Sequence, residues 1–358
     1  MKHDFLIIGG GIAGISAAAE LSELGSVLVL EGEAHLAHHA SGRSAALFEP
    51  RYGMAPVVAL SLASEAPFRA MPGMLAERGL MILARADQAE VFARDVAGFG
   101  LSDISVAEAR GMVPILSPDA VAFAAVADHA WDIDTDLLIQ THAKRLRGNG
   151  GTVLTKAAVS AITRVPGGWQ VQSAAGVHEA RILINAAGAW VDRIAAMAGV
   201  QPIGFTPYRR SMARLPAPGG HDVSRWPMLF GAGESWYAKP DAGALIVSPA
   251  EEHAMDPHDA WADDMVLAEG LARYEEMVTE PVTRLIANWA GLRTFSPDRV
   301  LVIGPDARQP DFFWLAGQGG YGFQTSPAVA QLVGDLIGGR GSVLPEALRA
   351  QLSPARFA

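Results

Sequence analysis

Cysteine is absent from the 358-residue chain, and this absence limits the available chemistry. It excludes disulfides, thiolate catalysis, cysteine metal ligands and a cysteinyl bond to a cofactor, and it suits a reducing cytoplasm. No basic stripe appears in a sequence whose net charge is −10, so we expect no nucleic-acid partner. No run of about 18 apolar residues is present, which predicts no transmembrane segment and leaves peripheral membrane contact open.

The first 31 residues carry the most specific pattern in the chain. In order, they contain an apolar strand, a glycine turn, an alanine-rich helix, a second apolar strand and an acid: Phe5–Ile8, Gly9–Gly14, residues 15–24, Val27–Leu30 and Glu31. This is the G-x-G-x-x-G fingerprint in its full context. Gly9 permits the tight turn, Gly11 lets the backbone approach a pyrophosphate, and Gly14 lets the helix pack closely on the strand. The strand before the turn and the acid after it disfavour an ordinary glycine-rich turn.

Glu31 and a second glycine turn distinguish between nucleotide cofactors. A carboxylate after the second strand accepts hydrogen bonds from a ribose and repels a 2′-phosphate, so FAD or NAD fits better than NADP. Far along the chain, an apolar strand at Phe313–Ala316 leads into the glycine-rich segment 317–326 and a helix over 327–337. The N-terminus of that helix would stabilise an anionic reduced flavin at its N1–C2=O edge. An NAD-dependent dehydrogenase has little use for such a turn, so the pattern favours FAD.

The remaining patterns indicate a mixed architecture. Short apolar or alternating runs predict strands at Leu80–Leu83, Arg181–Ile184, Ser211–Leu215, Ser235–Ala238 and Ala244–Val247. Helical spacing is present over Leu137–Arg147, with Asp134 or Thr135 as N-cap, and over Met265–Val278. Lys239–Gly243 has the composition of a hairpin turn. The expected fold class is α/β, with a Rossmann-like nucleotide-binding domain interleaved with an α+β substrate domain built on a mixed sheet.

Several further segments point to a family when they are taken together. They are Ser41–Ala46, Asp132–Asp136, Asn185–Trp190, Glu234–Tyr237 with Lys239–Gly243, Trp289–Arg293 and Gln318–Gly322. On these segments, nearly the whole chain resembles the FAD-dependent D-amino-acid oxidase superfamily, and within it the bacterial D-arginine dehydrogenases and other D-amino-acid dehydrogenases. The resemblance implies the fold of that superfamily, with an FAD-binding domain of residues 1–77, 143–206 and 283–358. Residues 78–142 and 207–282 would form the substrate-binding domain.

The resemblance also implies noncovalent FAD and the residues that contact it. The pyrophosphate is met by Gly9, Gly11, Ala13 and Gly14, and the adenosine ribose is met by Glu31 and Gly32. The pyrophosphate and flavin lie beside Ala40, Ser41, Gly42, Arg43, Ser44, Ala45 and Ala46, and the adenine lies on the backbone of Val159. The same site includes Gly188, and the flavin pyrimidine edge is lined by Gly319, Gly320, Tyr321, Gly322, Phe323 and Gln324. For Arg43, the alternative is a surface ion pair.

The same resemblance implies a substrate site for an α-amino acid. Arg293 matches the family's carboxylate clamp, since a guanidinium pairs with a carboxylate through two parallel hydrogen bonds. Tyr52 and Tyr237 match the tyrosines that bracket this carboxylate, and Arg210 matches a second arginine of the site. The Gly320 carbonyl would accept a hydrogen bond from the substrate amine. The alternatives are solvated arginines and half-buried tyrosines whose hydroxyls are satisfied elsewhere.

The implied reaction is hydride transfer from Cα of a D-amino acid to flavin N5, which leaves an imino acid. Water then hydrolyses the imino acid to a 2-oxo acid and ammonia. The substrate amine must be neutral for the hydride to leave, and desolvation in the pocket favours that form. The reduced flavin would be reoxidised by a quinone or other electron carrier in a dehydrogenase, or by O2 in an oxidase.

The side-chain pocket departs from that of the D-arginine enzyme. It is predicted to consist of Leu47, Glu49, Leu80, Met228 and Phe323. Leu47 stands where the D-arginine enzyme has a histidine, and Leu80 stands where it has the carboxylate for the basic side chain. Both replacements predict an apolar or broadly accepted D-amino acid, because a hydrophobic wall rejects charge. Glu49, two residues after Leu47, either supplies a replacement anion or faces solvent.

Two other functions stay open at this stage. One is a glycine or sarcosine type of amine oxidase on the same fold, although the absence of cysteine removes one route to covalent flavin. The other is a redox-silent FAD-binding scaffold, which would have no need for a carboxylate clamp. His35, His38 and His39 precede the segment that runs beside the flavin, and we interpret them as a solvated loop instead of a metal site.

Overall fold

A computed structural model describes residues 2–358 of the chain. Within this range, the α-helices are α1 (Ile12–Leu21), α2 (Ala55–Arg69), α3 (Ala89–Phe99), α4 (Val106–Met112), α5 (Thr135–Gly148), α6 (Val191–Met197), α7 (Asp264–Glu275), α8 (Gly322–Gly338) and α9 (Glu346–Leu352). The strands are β1 (Lys2–Ile8), β2 (Val27–Leu30), β3 (Leu47–Phe48), β4 (Leu75–Glu77), β5 (Leu80–Ala84), β6 (Ser102–Ile104), β7 (Phe123–Ala127), β8 (Trp131–Ile133), β9 (Thr152–Leu154), β10 (Val159–Val165), β11 (Gly168–Ser173), β12 (Gly176–Asn185), β13 (Thr206–Pro216), β14 (Met228–Gly231), β15 (Tyr237–Asp241), β16 (Ala244–Ser248), β17 (His253–Ala254), β18 (Ala287–Phe295), β19 (Val302–Pro305) and β20 (Phe312–Ala316). None of the helices in this range has both the length and the apolarity needed to cross a membrane.

The nucleotide-binding part contains an eight-stranded sheet in the order β10-β11-β12-β1-β2-β9, with β20 also paired to β12 and β19 paired to β20. Strands β9, β2, β1, β12 and β20 run parallel. Every residue of Phe5–Ile8 and Val27–Leu30 is buried, as expected for parallel strands covered on both faces. Helices α1, α5 and α8 pack together over this sheet. The predicted strand–turn–helix–strand unit is confirmed, and it places the start of α1 at the carboxyl end of β1.

The second part is a nine-stranded mixed sheet in the order β17-β13-β16-β15-β14-β5-β7-β6, with β18 also paired to β13. The antiparallel β13–β18 pair runs from Thr206 opposite Phe295 to Arg214 opposite Ala287. Strand β18 also contacts the short 3₁₀ turn Ala40–Arg43, which follows the first βαβ unit. This strand therefore joins the two parts and brings its side chains to the boundary between them.

The start of helix α8 differs from the prediction, which places it at a proline. Helix α8 begins at Gly322 instead of residue 327, and Pro327 lies inside it. A proline at this position lacks the amide that would bond the Phe323 carbonyl one turn earlier. The Ser326 hydroxyl donates to that carbonyl instead, at 2.9 Å. The helix N-terminus therefore lies directly at the second glycine turn.

The predicted hairpin turn at Lys239–Gly243 is shorter in the structure. Strand β15 continues through Asp241, and only Ala242-Gly243 remain as the loop, with positive φ angles of 46° and 75°. Two residues of this conformation form the tight turn that matches strand twist. Pro240 is tolerated inside β15 because the neighbouring β14 pairs only with Tyr237 and Ala238. Lys239 is consequently a strand residue with a fixed, buried side chain.

The domain boundaries stay a prediction, but two elements lie across the predicted limits. Helix α5 contains the predicted limit at residue 143, although it packs on α1 along its length. Strand β18 falls within the predicted FAD-binding segment 283–358, although it pairs with β13 of the nine-stranded sheet. We therefore propose limits that assign all of α5 to the nucleotide-binding part and β18 to the substrate part.

A buried ionic cluster ties the small β3-β8-β4 sheet to the nine-stranded sheet. Asp132 on β8 accepts from Lys239 Nζ at 2.8 Å, and through its other oxygen from Arg78 Nε at 2.9 Å. We expect Asp132→Asn to lower the free energy of unfolding by about 3 kcal/mol, because it leaves two cations uncompensated in a largely buried site. Urea unfolding measures this difference.

The neighbouring Asp241→Asn variant is the matched control for this experiment. Asp241 pairs with Arg214 at 2.8 Å, and its side chain is 46% exposed. Its loss should cost less than about 1 kcal/mol. Equal effects of the Asp132 and Asp241 substitutions would contradict the assigned role of the cluster.

Candidate functional site

A cavity of about 430 Å³ follows the carboxyl ends of β1 and β2. Its walls include Gly9, Gly11, Glu31, Gly32, Ala40, Ser41, Arg43, Val159 and Gly188. All of these were predicted to contact a dinucleotide, and the structure brings them to one continuous cavity. Trp190, Met197 and Ile194 add an apolar wall, which the sequence-based prediction did not include.

The carboxylate of Glu31 is held in place by backbone amides. Oε2 accepts from the Gly10 amide at 2.7 Å, and Oε1 accepts from the Glu33 amide at 2.8 Å. Glu31 is 9% exposed and lines the cavity. Its carboxylate is therefore oriented before any ligand binds, and its remaining lone pairs can accept from the two hydroxyls of a ribose.

The glycines of the first turn have two different roles. A Cβ on Gly9 would come 2.4 Å from the Ala186 carbonyl oxygen, and one on Gly14 would come 1.9 Å from the Gly9 carbonyl oxygen. Both glycines therefore permit close packing of backbone. Gly11 is different, because an added Cβ would meet only the Ser41 hydroxyl, at 3.1 Å. Gly11 thus keeps the space beside the α1 N-terminus open, where unpaired amides favour a phosphate. The observed cradle fits a dinucleotide cofactor.

The segment Ala40–Ala46 forms the opposite wall. Ser41 Oγ accepts from the Ile12 amide at 3.0 Å, which ties this segment to the start of α1. Arg43 donates to the carbonyls of Ala260 and Ala290 at 2.8 and 2.9 Å, and it also pairs with Asp259. The Arg43 guanidinium therefore fastens the segment to β18 and to the 255–262 loop, while Arg43 also lines the cavity. Its predicted polar contact to the cofactor stays a prediction.

Of the three histidines predicted to form a solvated loop, His35 is exposed, whereas His38 and His39 are only partly exposed. His38 and His39 line the dinucleotide cavity. The His39 Nε2 atom lies 3.0 Å from Glu33 Oε1, and its ring centre lies 4.6 Å from that of Trp190. Glu33, His38 and His39 bring three potential ligand atoms within 4.8 Å of one another. Burial lowers the pKa of His39 despite the opposing effect of Glu33. The carboxylate missed from the sequence comes from the loop after Glu31.

The second glycine turn lies where the two parts of the protein meet. Gly319 has φ of 51°, and a Cβ there would come 2.2 Å from the Phe295 ring. A Cβ on Gly320 would come 2.9 Å from the Arg293 guanidinium. Both positions therefore require glycine for a close approach to β18. Gln324 in the first turn of α8 donates to the Ser61 hydroxyl at 3.0 Å, which anchors this turn to α2.

A small cavity of about 50 Å³ opens between this turn and the nine-stranded sheet. Its lining contains most of the predicted substrate-site residues: Leu47, Glu49, Tyr52, Met228, Tyr237, Arg293, Gly320 and Phe323, together with Ser44–Ala46 and Gln324. Strands β3, β14, β15 and β18 supply the side chains that converge here. The structure therefore gathers residues that are separated by more than half of the chain.

The cavity places one cation beside two phenolic hydroxyls. Tyr52 donates to Glu234 Oε2 at 3.2 Å, and Tyr237 donates to the Met212 sulfur at 3.4 Å. Burial, and then Glu234, raise the pKa of Tyr52, so its hydroxyl stays protonated. Burial opposes the charge of Arg293, but Tyr237, Tyr52 and Glu234 raise its pKa above the ordinary value. Arg293 is thus a permanent, half-buried cation on the cavity wall, and an anion is the ligand that suits it.

Two predicted site residues lie behind the cavity wall. Arg210 is 4% exposed, lies 3.3 Å from Glu252, and has its guanidinium carbon 6.0 Å from the centre of the Tyr237 ring. Leu80 is fully buried and pairs with Met228 in the sheet, but it is not among the cavity-lining residues. The structure therefore places Arg210 in support of Tyr237. It also removes the argument that Leu80 forms the end of the pocket, because Met228 stands there instead.

Three functional positions were missed from the sequence. Glu234 begins the Glu234–Tyr237 segment, in which the prediction singles out only Tyr237. Its hydrogen bond with Tyr52 joins residues that are 182 positions apart in the sequence. Phe99 and Phe230 line the same cavity from α3 and β14. Their ring centres lie 6.1 Å from Tyr52 and 5.6 Å from Tyr237, respectively. Aromatic residues are common in cores, so no local signal separates these two from structural ones.

The dinucleotide cavity reaches Arg43, and a second cavity that contains Arg293 begins at the next residue, Ser44. This arrangement fits a flavin-dependent oxidoreductase. The family model for FAD dependent oxidoreductase, DAO, matches residues 4–336. The chain therefore belongs to the DAO family of FAD-dependent oxidoreductases, and its cofactor is FAD. The resemblance drawn from the sequence motifs is confirmed at the level of the superfamily and its fold.

Similar proteins span several functions. FAD-dependent oxidoreductase domain-containing protein 1 of Bos taurus is 24% identical over 94% of this chain and 81% of its own length. The bifunctional tRNA-modification protein MnmC of Thiobacillus denitrificans is 27% identical over 98% of this chain, which spans only 59% of that protein. Glycine oxidase of Geobacillus kaustophilus is 22% identical over 94% of this chain and 93% of its length.

Solved structures confirm the fold. The crystal structure of glycine oxidase from Geobacillus kaustophilus has a TM-score of 0.83 and 21% identity, covering 98% of both chains. L-proline dehydrogenase from P. horikoshii has a TM-score of 0.83 and 22% identity, covering 99% of this chain and 98% of the other. At this level of identity, the likeness describes the architecture and leaves the substrate to be argued from the site.

Proposed function

We propose that this protein oxidises a D-amino acid to the corresponding imino acid, which then hydrolyses to a 2-oxo acid and ammonia. The observation that carries the proposal is the half-buried Arg293 guanidinium, which shares a cavity with Tyr52 and Tyr237 beside the second glycine turn. A guanidinium in this setting binds a carboxylate through two parallel hydrogen bonds. The Gly320 carbonyl, on the same cavity wall, is our proposed acceptor for the substrate amine.

The cofactor and the protein side chains have different roles in the proposed reaction. FAD, when bound, supplies the hydride acceptor. Gly11, Glu31 and the α1 N-terminus would hold its phosphates and ribose, and the α8 N-terminus would face the flavin pyrimidine edge. Arg293 and the two tyrosines would fix the substrate carboxylate. The apolar walls would exclude water and favour the neutral amine.

The size and lining of the pocket support a small or apolar side chain. The volume of about 50 Å³ is bounded by Leu47, Met228, Phe99 and Phe230. Such walls reject a charged side chain, as the replacement at Leu47 also indicates. The small volume also favours a second candidate, oxidation of glycine or sarcosine, because either substrate fits with no side-chain pocket. The proposed acceptor is a quinone or another electron carrier, with O2 as the alternative.

Anaerobic mixing of the purified yellow protein with candidate substrates tests the proposal. The panel contains D-amino acids of increasing size, their L-enantiomers, glycine and sarcosine, and the flavin absorbance is followed. We expect D-alanine and other small apolar D-amino acids to bleach the flavin, and D-arginine and all L-enantiomers to leave it oxidised. Bleaching by glycine and sarcosine alone would favour the second candidate. No bleaching by any amine would contradict both and favour a redox-silent scaffold.

Admission of air then distinguishes the two kinds of acceptor. Rapid return of the flavin absorbance identifies an oxidase. Slow return, accelerated by an added quinone, identifies a dehydrogenase. The same samples supply both results, so the assignment does not depend on a second preparation.

A further inference from the structure

We propose that Glu49 is the base that removes a proton from the substrate ammonium group, an inference that rests on the proposed function. Glu49 lines the substrate cavity and is 2% exposed. Its Oε1 accepts from the Arg51 amide at 2.9 Å, but its Oε2 is buried without a hydrogen-bond partner among residues 2–358. An unpaired buried carboxylate oxygen is costly unless a ligand supplies the donor. This oxygen therefore marks the position of a donor group on the substrate.

The size of the cavity indicates which substrate group meets Glu49. A water molecule occupies at least about 10–15 Å³ in the same measure, so about 50 Å³ holds only a few heavy atoms. An amino acid whose carboxylate lies on Arg293 fills this space with its own backbone atoms. A long basic side chain would have no room between Met228 and Phe230, which line the cavity beside Glu49. The donor is therefore the α-ammonium group.

The charges around Glu49 suit a group that must gain and lose a proton. The titratable and charged groups that face it, or face its partners, are Arg51, Tyr52, His129 with Asp128, Glu234, Tyr237, Arg293 and Tyr321. Burial raises the pKa of Glu49 to about 7, against the lowering effect of Arg51. Burial and then Arg51 lower the pKa of His129. These shifts place the pKa of Glu49 above that of His129, so His129 would relay the proton without holding it.

His129 supplies a route for the proton to solvent. Its Nε2 atom lies 3.6 Å from Glu49 Oε1, and 21% of its side chain is exposed, against 3% for Glu49. The imidazole therefore bridges the buried carboxylate and the surface. Because 3.6 Å is longer than a hydrogen bond and His129 Nε2 has no other partner among residues 2–358, the two side chains must move closer together before a proton on Glu49 can leave through this ring.

The step balances in atoms and electrons. The N–H bond of the ammonium breaks, its electron pair stays on nitrogen, and the proton forms an O–H bond on Glu49. The neutral amine then uses its lone pair to form the C=N bond as the Cα hydrogen leaves with two electrons. The substrate is oxidised and FAD, the resident cofactor of the family, is reduced. Glu49 finally passes its proton to His129 and to water.

Glu49→Gln tests the proposal through the pH dependence of anaerobic flavin reduction. In the wild-type protein, the rate should rise with pH to a plateau whose acid limb reflects the Glu49 pKa of about 7. In the variant, the limb should move to the pKa of the free ammonium, about 8 or higher for an α-amino group. At pH 6, flavin reduction in the variant should be slower than in wild type by about a factor of ten for each unit that separates the two acid-limb pKa values. At alkaline pH, the two rates should become similar. The exposed Glu77→Gln variant is the control.

A second measurement follows the carboxyl group without turnover. Infrared spectra of the protein should show a protonated carboxyl band that titrates near pH 7 and is missing in Glu49→Gln. If flavin reduction in wild type and in Glu49→Gln depends on pH with the same acid-limb pKa, this proposal is overturned and the proposed function stays intact. Loss of activity by the same factor at every pH, or a loss limited to basic substrates, would also overturn it. No reduction of the wild-type protein by any amino acid would overturn both.

His129→Asn checks the exit route. At pH 7 in dilute buffer, the variant should be slower than wild type while its acid limb is unchanged, and imidazole added to the buffer should restore the rate. A change in rate that imidazole does not restore would assign His129 a purely structural role and would overturn the proposed route.

Discussion

Arg293→Met should lower the second-order rate constant with which a D-amino acid reduces the flavin, and the expected loss is about 30- to 5,000-fold. The estimate follows from the 2–5 kcal/mol typical for removal of one partner from a buried, hydrogen-bonded charge pair, with about 1.4 kcal/mol for each factor of ten. Met keeps most of the volume and removes the charge. Tyr52 and Tyr237 would remain, but neutral hydroxyls cannot replace a bidentate cation. Anaerobic stopped-flow measurement with increasing substrate gives the rate and the affinity separately.

Arg293→Lys distinguishes charge from geometry. Lysine retains the positive charge but has no planar fork, so we expect a loss smaller than that of the methionine variant. Arg308→Met, at an exposed position, is the matched control and should behave as wild type. FAD content and Tm must stay close to wild type in each variant, since Arg293 also faces Glu234. Wild-type rate and affinity in Arg293→Met would refute the assignment of the clamp.

The nucleotide-binding unit was predictable because its signals are local. Strand, turn, helix and acid all lie within the first 31 residues, and each conformational demand is visible in residue type. Gly9 adopts φ of 108°, which side chains rarely accept, and its neighbour Gly14 contacts it through backbone. Glu31 contacts Gly10 and Glu33, which both lie within or next to the same βαβ unit. Local chemistry and local fold agree here, which is the condition under which sequence patterns are informative.

The substrate site was only partly predictable because its contacts are long-range. Arg293, Tyr52 and Tyr237 were found through motif resemblance, whereas no local pattern identified Glu234 as the partner of Tyr52 or Phe99 as a cavity residue. The predicted pocket role of Leu80 depends on which side chain lies between it and the cavity. Leu80 and Met228 are register partners on β5 and β14, and only Met228 lines the cavity. This long-range pairing is not visible in the sequence around Leu80.

Glu49 shows how burial resolves what sequence leaves open. Its position two residues after Leu47 was compatible with a solvent-facing side chain or with an anion inside the pocket. The structure excludes the solvent-facing alternative, since only 2% of the residue is exposed. The chain therefore keeps an acid in the pocket, and our proposal assigns this acid to the substrate amine instead of to the substrate side chain. The number of charged residues in the sequence does not distinguish these two arrangements, whereas the position of Glu49 in the cavity wall does.

Gly11→Val should produce a folded, colourless protein. The backbone at Gly11 has φ of −73° and ψ of 179°, an extended conformation that valine readily adopts. The new Cβ would meet only the Ser41 hydroxyl, at 3.1 Å, so the fold can accept it. The added side chain would occupy the space beside the α1 N-terminus that we assign to the pyrophosphate. We therefore expect a flavin-to-protein absorbance ratio close to zero.

The comparison must be made with the FAD-stripped wild-type protein, because bound cofactor itself raises Tm by mass action. Against that reference, Gly11→Val should lose little Tm, while Gly341→Val should bind FAD normally because nothing lies within 4 Å of an added Cβ there. Gly9→Val should fail to fold, since its Cβ would lie 2.4 Å from the Ala186 carbonyl oxygen at positive φ. Gly11→Val protein that purifies with wild-type FAD content would show that the pyrophosphate lies elsewhere, and the assignment of this cavity would have to be abandoned.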